Sequence, residues 1–146
     1  MSRDETTQLM NAYFEALLNG GDFAQYYAPD ILWTTMETGD TMRGRDAVRS
    51  FIVALHTRMF DAHPEMRHLA VGDGVAAVEM VFVGTHIGDF GGVPASGSRV
   101  RLPYTVFYDV TEAGITELRA YVSIRALIDQ ISGPRSEPGP ASTSVN

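Results

Sequence analysis

The amino-acid sequence predicts an α+β domain in which helices cover one face of a curved antiparallel sheet. Three observations carry that prediction. Helical periodicity is confined to residues 4–60 and to a short stretch at 125–131. Strand-forming composition fills most of residues 66–124. Glycine-centred turns separate those strands.

Taken in order, Met10, Tyr13, Phe14, Leu17 and Leu18 recur at helical spacing within residues 4–20, and Gly20-Gly21 ends that helix. Asp22 is placed to cap a second, short helix bearing Phe23, Tyr26 and Tyr27, closed by Pro29. Residues 31–36 are rich in strand formers, and 37–40 read as a turn. After Gly44, a third helix over 45–60 presents Val48, Phe51, Ile52, Leu55 and Met59 as one apolar stripe. Strands follow over 66–71, 75–85, 99–110 and 115–124, with turns at 72–74 and 111–114. Residues 87–98 form a loop with four glycines and one proline. A last short helix over 125–131 carries Leu127, Ile128 and Ile131. One domain is thus expected over 1–132, and the Pro/Gly/Ser-rich stretch 133–146 is expected to be a disordered tail.

Composition narrows the function. With 146 residues the chain is long enough to bury a core without a disulfide or metal staple. It has no cysteine, and all 11 basic residues are arginines, so thiol nucleophiles, Schiff-base lysines and a P-loop lysine are excluded. A net charge of −7 opposes nucleic-acid phosphates. The four histidines show no HxH or HExxH spacing, so no metal is expected. Neither a leader segment nor a membrane-spanning run is evident, and a cytoplasmic protein that binds no membrane is expected. Strand 75–83 is apolar on both faces except for Glu79, which fits a sheet that wraps a cavity or packs a second layer.

The segment from Phe82 through Gly84-Thr85-His86 to Gly97, followed by residues 100–108, resembles the GTHxGxFxGxPxTG region of SnoaL-like polyketide cyclases. Residues 115–121, with Leu127 and Gln130, are similar to that family's closing strand and final helix. Residues 27–30 and 44–48 match the wider nuclear transport factor 2-like superfamily, so the resemblance spans residues 6–132. It implies a cone of curved antiparallel sheet around a deep apolar pocket, closed by N-terminal helices, in a homodimer. The family's aspartate general acid/base falls at Ser123. The superfamily's ketosteroid isomerase base falls near Thr35, and of the limonene epoxide hydrolase triad only Arg119 has a counterpart.

Several residues are candidates for chemistry. Glu79 interrupts an apolar strand; buried there, it becomes an acid/base, and otherwise it pairs with Arg119 or Arg101 or sits at a solvent edge. Because the resemblance turns position 123 to the cavity, Arg119, Tyr121 and Ser123 are all expected to face it by period-two geometry. There Arg119 could stabilise an enolate and Tyr121 could donate to a carbonyl. His86 either transfers protons or hydrogen-bonds its glycine-rich loop. Trp33, Glu37, His56 and Tyr104 are candidates for substrate contact.

The expected function is a cofactor-free cyclase of natural-product biosynthesis, an isomerase- or lyase-type enzyme acting on a polyketide-like small molecule. Ring closure would use Glu79 or His86 as surrogate acid/base, or would template a pericyclic closure by orientation. Two other readings stand beside it: epoxide chemistry by carboxylates drawn from Glu37, Asp40 and Glu79, and a non-catalytic carrier of a hydrophobic ligand.

Overall fold

The computed structural model describes residues 1–133, and positions 134–146 of the predicted tail lie outside the described residues. Helix α1 (Arg3–Leu18) begins at a capping box: Ser2 Oγ accepts the Glu5 amide at 3.1 Å, and the Glu5 carboxylate accepts the Ser2 amide at 2.9 Å. Its buried face carries Thr6, Met10, Tyr13 and Phe14. The buried Thr6 hydroxyl donates to Ser2 O and accepts the Gly74 amide, which fastens the helix to a distant turn.

The second helix is only a 3₁₀ turn, Phe23–Tyr26, and the Asp22 side chain does not cap it. Strand β1 (Tyr27–Thr35) runs straight through Pro29. A register shift between Tyr27 and Leu32 leaves the proline in an unpaired stretch, so its missing amide costs no ladder bond. Strand β2 (Asp40–Arg43) folds back on β1 where only a turn was expected. Helix α2 (Arg45–Ala54) ends earlier than predicted, widens into a π turn over Leu55–Met59, and gives way to strand β3 (Phe60–Ala62). The aromatic ring of Phe60, expected on the helix, is fully buried between Phe82 and Phe90 at 5.2 and 5.3 Å.

Strands β4 (Glu65–Gly72), β5 (Val75–His86), β6 (Arg99–Thr111) and β7 (Gly114–Tyr121) form an antiparallel meander, and helix α3 (Ile124–Ser132) follows. Sheet order is β2-β1-β7-β6-β5-β3, with β4 and β3 sharing different lengths of β5. One pair, β1–β7, is parallel, so the sheet is mixed where an antiparallel one was expected. Glycine is required at position 84, where β3 meets β5, because a Cβ there would stand 2.6 Å from the Asp61 carbonyl oxygen.

The sheet curls around its inner face, and registers Val78↔Val106↔Ala120 and Ala76↔Tyr108↔Leu118 align apolar rows toward the helices. A large core cluster joins α1, β1 and α2 to that face. A smaller one, containing Phe60, Phe82, Leu102 and Leu127, lies beneath α3. Gln130 holds α3 down by bonding both ways to the Arg101 backbone, at 2.9 and 3.0 Å. Among the described residues no helix is long and apolar enough to cross a membrane.

Candidate functional site

Between the two clusters lies a cavity of about 100 Å³, bordered among the described residues by 21 side chains of which none is Asp, Glu, Lys or Arg. The three helices, strands β1, β5, β6 and β7 and the loop after β5 contribute. Helix α1 supplies Tyr13 and Leu17, β1 supplies Trp33 and Thr35, α2 and its π turn supply Phe51 and His56. Strands β5, β6 and β7 add Phe82, Tyr104 and Ala120, and Phe90 comes from the loop after β5. Hydrophobic side chains make such a wall cheap to dry, whereas a carboxylate placed there without a partner would be costly to desolvate.

The polar groups on this wall are few. The Trp33 ring packs edge-on against Phe51 at 5.4 Å, and its Nε1–H donates to Thr35 Oγ1 at 2.9 Å. The hydroxyls of Tyr13 and Tyr27 bond to each other at 2.8 Å, and Tyr108 packs on Tyr13 with ring centroids 5.7 Å apart. Burial raises the phenol pKa of Tyr13, Tyr27, Tyr104 and Tyr108 above the ordinary value, so all four stay neutral donors. His56 stands on the π turn with its ring 6.0 Å from Phe82, and burial pushes its imidazole pKa down to about 4. At neutral pH it is therefore an uncharged base facing an apolar space. Wide helical turns of this kind recur at functional sites because they redirect a side chain out of the helical row.

Of the sequence-predicted residues, Trp33, His56 and Tyr104 meet at the cavity. The others do not. Glu79 is exposed on the outer face of β5, because it is Ala76, Val78, Met80 and Phe82 that point inward. Arg119 also lies outside. It pairs with Asp109 at 2.8 Å and with Glu117 at 3.1 Å, and those bonds raise its pKa further. Tyr121 is 47 % exposed and packs edge-on against Phe107 on the same outer face. The cavity parity of β7 thus belongs to Leu118 and Ala120, continued by Val122, one residue out of phase with the expectation.

Ser123 instead caps α3, accepting the Ala126 amide at 3.1 Å. It donates to Glu37 at 3.0 Å, while the other Glu37 oxygen accepts the Ile124 amide at 2.8 Å. Glu37 is thereby a clamp on the start of α3 and is absent from the cavity wall. With Glu37, Asp40 and Glu79 all off that wall, the paired-carboxylate epoxide mechanism has no carboxylate to use. His86 is fully buried outside the wall; its Nδ1 meets Ser96 Oγ at 2.8 Å and accepts the Ser96 amide at 3.2 Å. It fastens the loop that carries Phe90, and its Nε2 has no partner among the described residues.

Sequence reasoning does not single out two of the cavity residues, Tyr13 and Phe90. The available signals are Tyr13's place in the apolar stripe of α1 and Phe90's place at the phenylalanine of the glycine-rich motif after β5.

Comparison with known proteins agrees with this architecture. The profile of the SnoaL-like polyketide cyclase family matches residues 7–131. A search of curated protein sequences finds no significant match. Among solved structures, a protein assigned as a polyketide cyclase from Xanthomonas campestris pv. campestris superposes with a TM-score of 0.73 at 25 % identity, covering 88 % of this chain and 98 % of its own. One assigned as SnoaL-like from Jannaschia sp. CCS1 gives 0.80 at 18 % identity, covering 90 % and 94 %. One assigned as a ketosteroid isomerase from Kribbella flavida DSM 17836 gives 0.64 at 19 % identity, covering 95 % and 85 %. With the family profile spanning nearly all of the described fold, the chain belongs to the SnoaL-like polyketide cyclases.

Proposed function

We propose that this protein is a cyclase of isomerase type in natural-product biosynthesis, closing a ring in an uncharged, apolar, polyketide-like substrate held in the cavity, without a cofactor. The observation that carries the reading is the wall itself: 21 bordering residues without one carboxylate, lysine or arginine. Such a wall selects neutral ligands and can hold a flexible chain in a near-attack conformation, where orientation supplies much of the acceleration. Family membership supports ring closure as the reaction class. The test is a mass-spectrometric comparison of metabolites from the source strain with the gene intact and deleted. An accumulating precursor isobaric with the lost product is expected. An unchanged profile would overturn the enzyme reading and leave a carrier of hydrophobic ligands.

Homodimer formation is part of the same proposal. Phe107 and Tyr121, 38 % and 47 % exposed, form an aromatic pair on the outer sheet face, and a second copy of that face is the proposed partner that would cover it. Light scattering should return twice the chain mass, and Phe107→Glu should return a monomer.

A further inference from the structure

His56 and Tyr104 stand against one ring. Their centroids lie 6.0 and 6.4 Å from that of Phe82, so an imidazole and a phenol border the same patch of cavity wall from α2's π turn and from β6. Burial is what shifts each group. Elsewhere on the wall, the Trp33 N–H and the Tyr13 hydroxyl are spent on protein partners. A neutral imidazole is an acceptor of protons, and a neutral phenol is a donor to carbonyl oxygen.

We propose that His56 and Tyr104 are a catalytic pair for proton transfer at the carbon next to a substrate carbonyl. This rests on the cavity being the substrate site. Tyr104 O–H holds the carbonyl oxygen. The unprotonated His56 nitrogen takes a proton from the adjacent carbon, and the C–H electron pair moves into the carbon–carbonyl bond to give an enolate. That enolate's oxygen stays hydrogen-bonded to Tyr104. Its nucleophilic carbon either adds to a second carbonyl of the same chain, the resulting alkoxide recovering the proton from imidazolium, or is reprotonated in place. Neither route loses or gains atoms, and neither needs an oxidant or a reductant. A ligand bearing an ionised carboxylate is excluded from the same place, since the wall offers it no cation.

Reprotonation in place allows a test that does not depend on the natural substrate. The full chain is incubated in D₂O with 2-decanone, a neutral ketone, or with decanoate. Binding is read from quenching of Trp33, the sole tryptophan and a wall residue, and exchange from deuterium gained next to the carbonyl. The ketone should quench Trp33 and exchange about tenfold faster than without protein, below the usual general-base contribution because burial lowers the basicity of His56. Decanoate at pH 8 should do neither. His56→Gln should keep the quenching and lose the exchange, which also shows that this variant is folded. Tyr104→Phe should weaken ketone binding several-fold and slow exchange toward the rate without protein.

If the ketone quenches Trp33 but the wild type gives no exchange above background, or His56→Gln exchanges like the wild type, the pair is refuted and closure by orientation alone stands. If no ketone quenches Trp33, the cavity reading itself fails and the proposal falls with it.

Discussion

Acidification should destabilise this protein through the buried His56. His56 is held neutral by burial, with a pKa of about 4 against 6.5 in an open chain. Between those values the unfolded chain binds a proton that the folded chain refuses, so stability is full above the unfolded value and is lost as pH falls from about 6.5 toward 4. At 1.36 kcal/mol per unit, the whole window is worth up to about 3 kcal/mol, and the fall from pH 7 to pH 5 about 2 kcal/mol. Glu5 and Glu112 also have lowered values, from hydrogen bonds to the Ser2 amide and to Glu112's own backbone respectively, but both are exposed and titrate at lower pH. Urea unfolding of wild type and His56→Gln at pH 7, 6 and 5, followed by Trp33 fluorescence, isolates the histidine, because the carboxylates act equally in both proteins. The wild type should lose about 2 kcal/mol more than the variant over that range. Parallel losses would refute a buried neutral imidazole.

Ser123→Ala removes the cap of α3 and a hydrogen bond to Glu37, and thermal melts should report a loss of about 1 kcal/mol. Ser123→Asp keeps a capping oxygen but sets it against the Glu37 carboxylate outside the cavity, so product analysis should show no new aldol activity. Arg119→Met should leave ketone exchange within about twofold and cost less than about 1 kcal/mol, since Asp109 and Glu117, 40 % and 45 % exposed, are screened by water. Gly88→Ala would drive a Cβ into the Arg58 carbonyl oxygen, displacing the loop that carries Phe90. A melt should show a loss of about 1–3 kcal/mol, and ketone quenching of Trp33 should weaken.

Periodicity makes the long elements legible. The stripe through Met10, Tyr13 and Phe14, and the first three strands of the meander, stand within one or two residues of where the pattern puts them, whereas β7 ends at Tyr121, three residues before the expected 124. What periodicity does not reveal are features created by tertiary contact. Strand β2 has no apolar alternation of its own and exists because β1 offers it an edge. Helix α2 stops short of Phe60 although the stripe continues, because burying that ring between Phe82 and Phe90 outweighs another helical turn. The π turn that results is also what brings His56 round to the wall. In the sequence that histidine lies off the centre of the stripe, which is the correct position for a straight helix.

Parity is what misplaces the site, and the reason bears on what specifies a cavity. Along β7 the polar residues Glu117, Arg119 and Tyr121 alternate with Leu118 and Ala120, a pattern that on its own puts the apolar set inward. Aligning Ser123 with a family aspartate reverses that assignment, yet the chain has already left the sheet at position 123 and is turning into α3, so strand alternation no longer applies there. Glu79 misleads for a related cause. An otherwise apolar strand suggests that both faces are covered, whereas the outer face of this sheet keeps Val75, Phe107 and Tyr121 at the surface, and a carboxylate among them meets water. Both corrections remove charge from the cavity and leave a wall on which one uncharged imidazole is the strongest base. A pocket of this kind cannot hold an anionic ground state, but it can hold a neutral ketone and the transient enolate made from it, provided the phenol and the base act on adjacent atoms. His56 and Tyr104, both packed against Phe82, are the wall groups proposed to act on adjacent atoms, and the deuterium-exchange measurement tests whether they do.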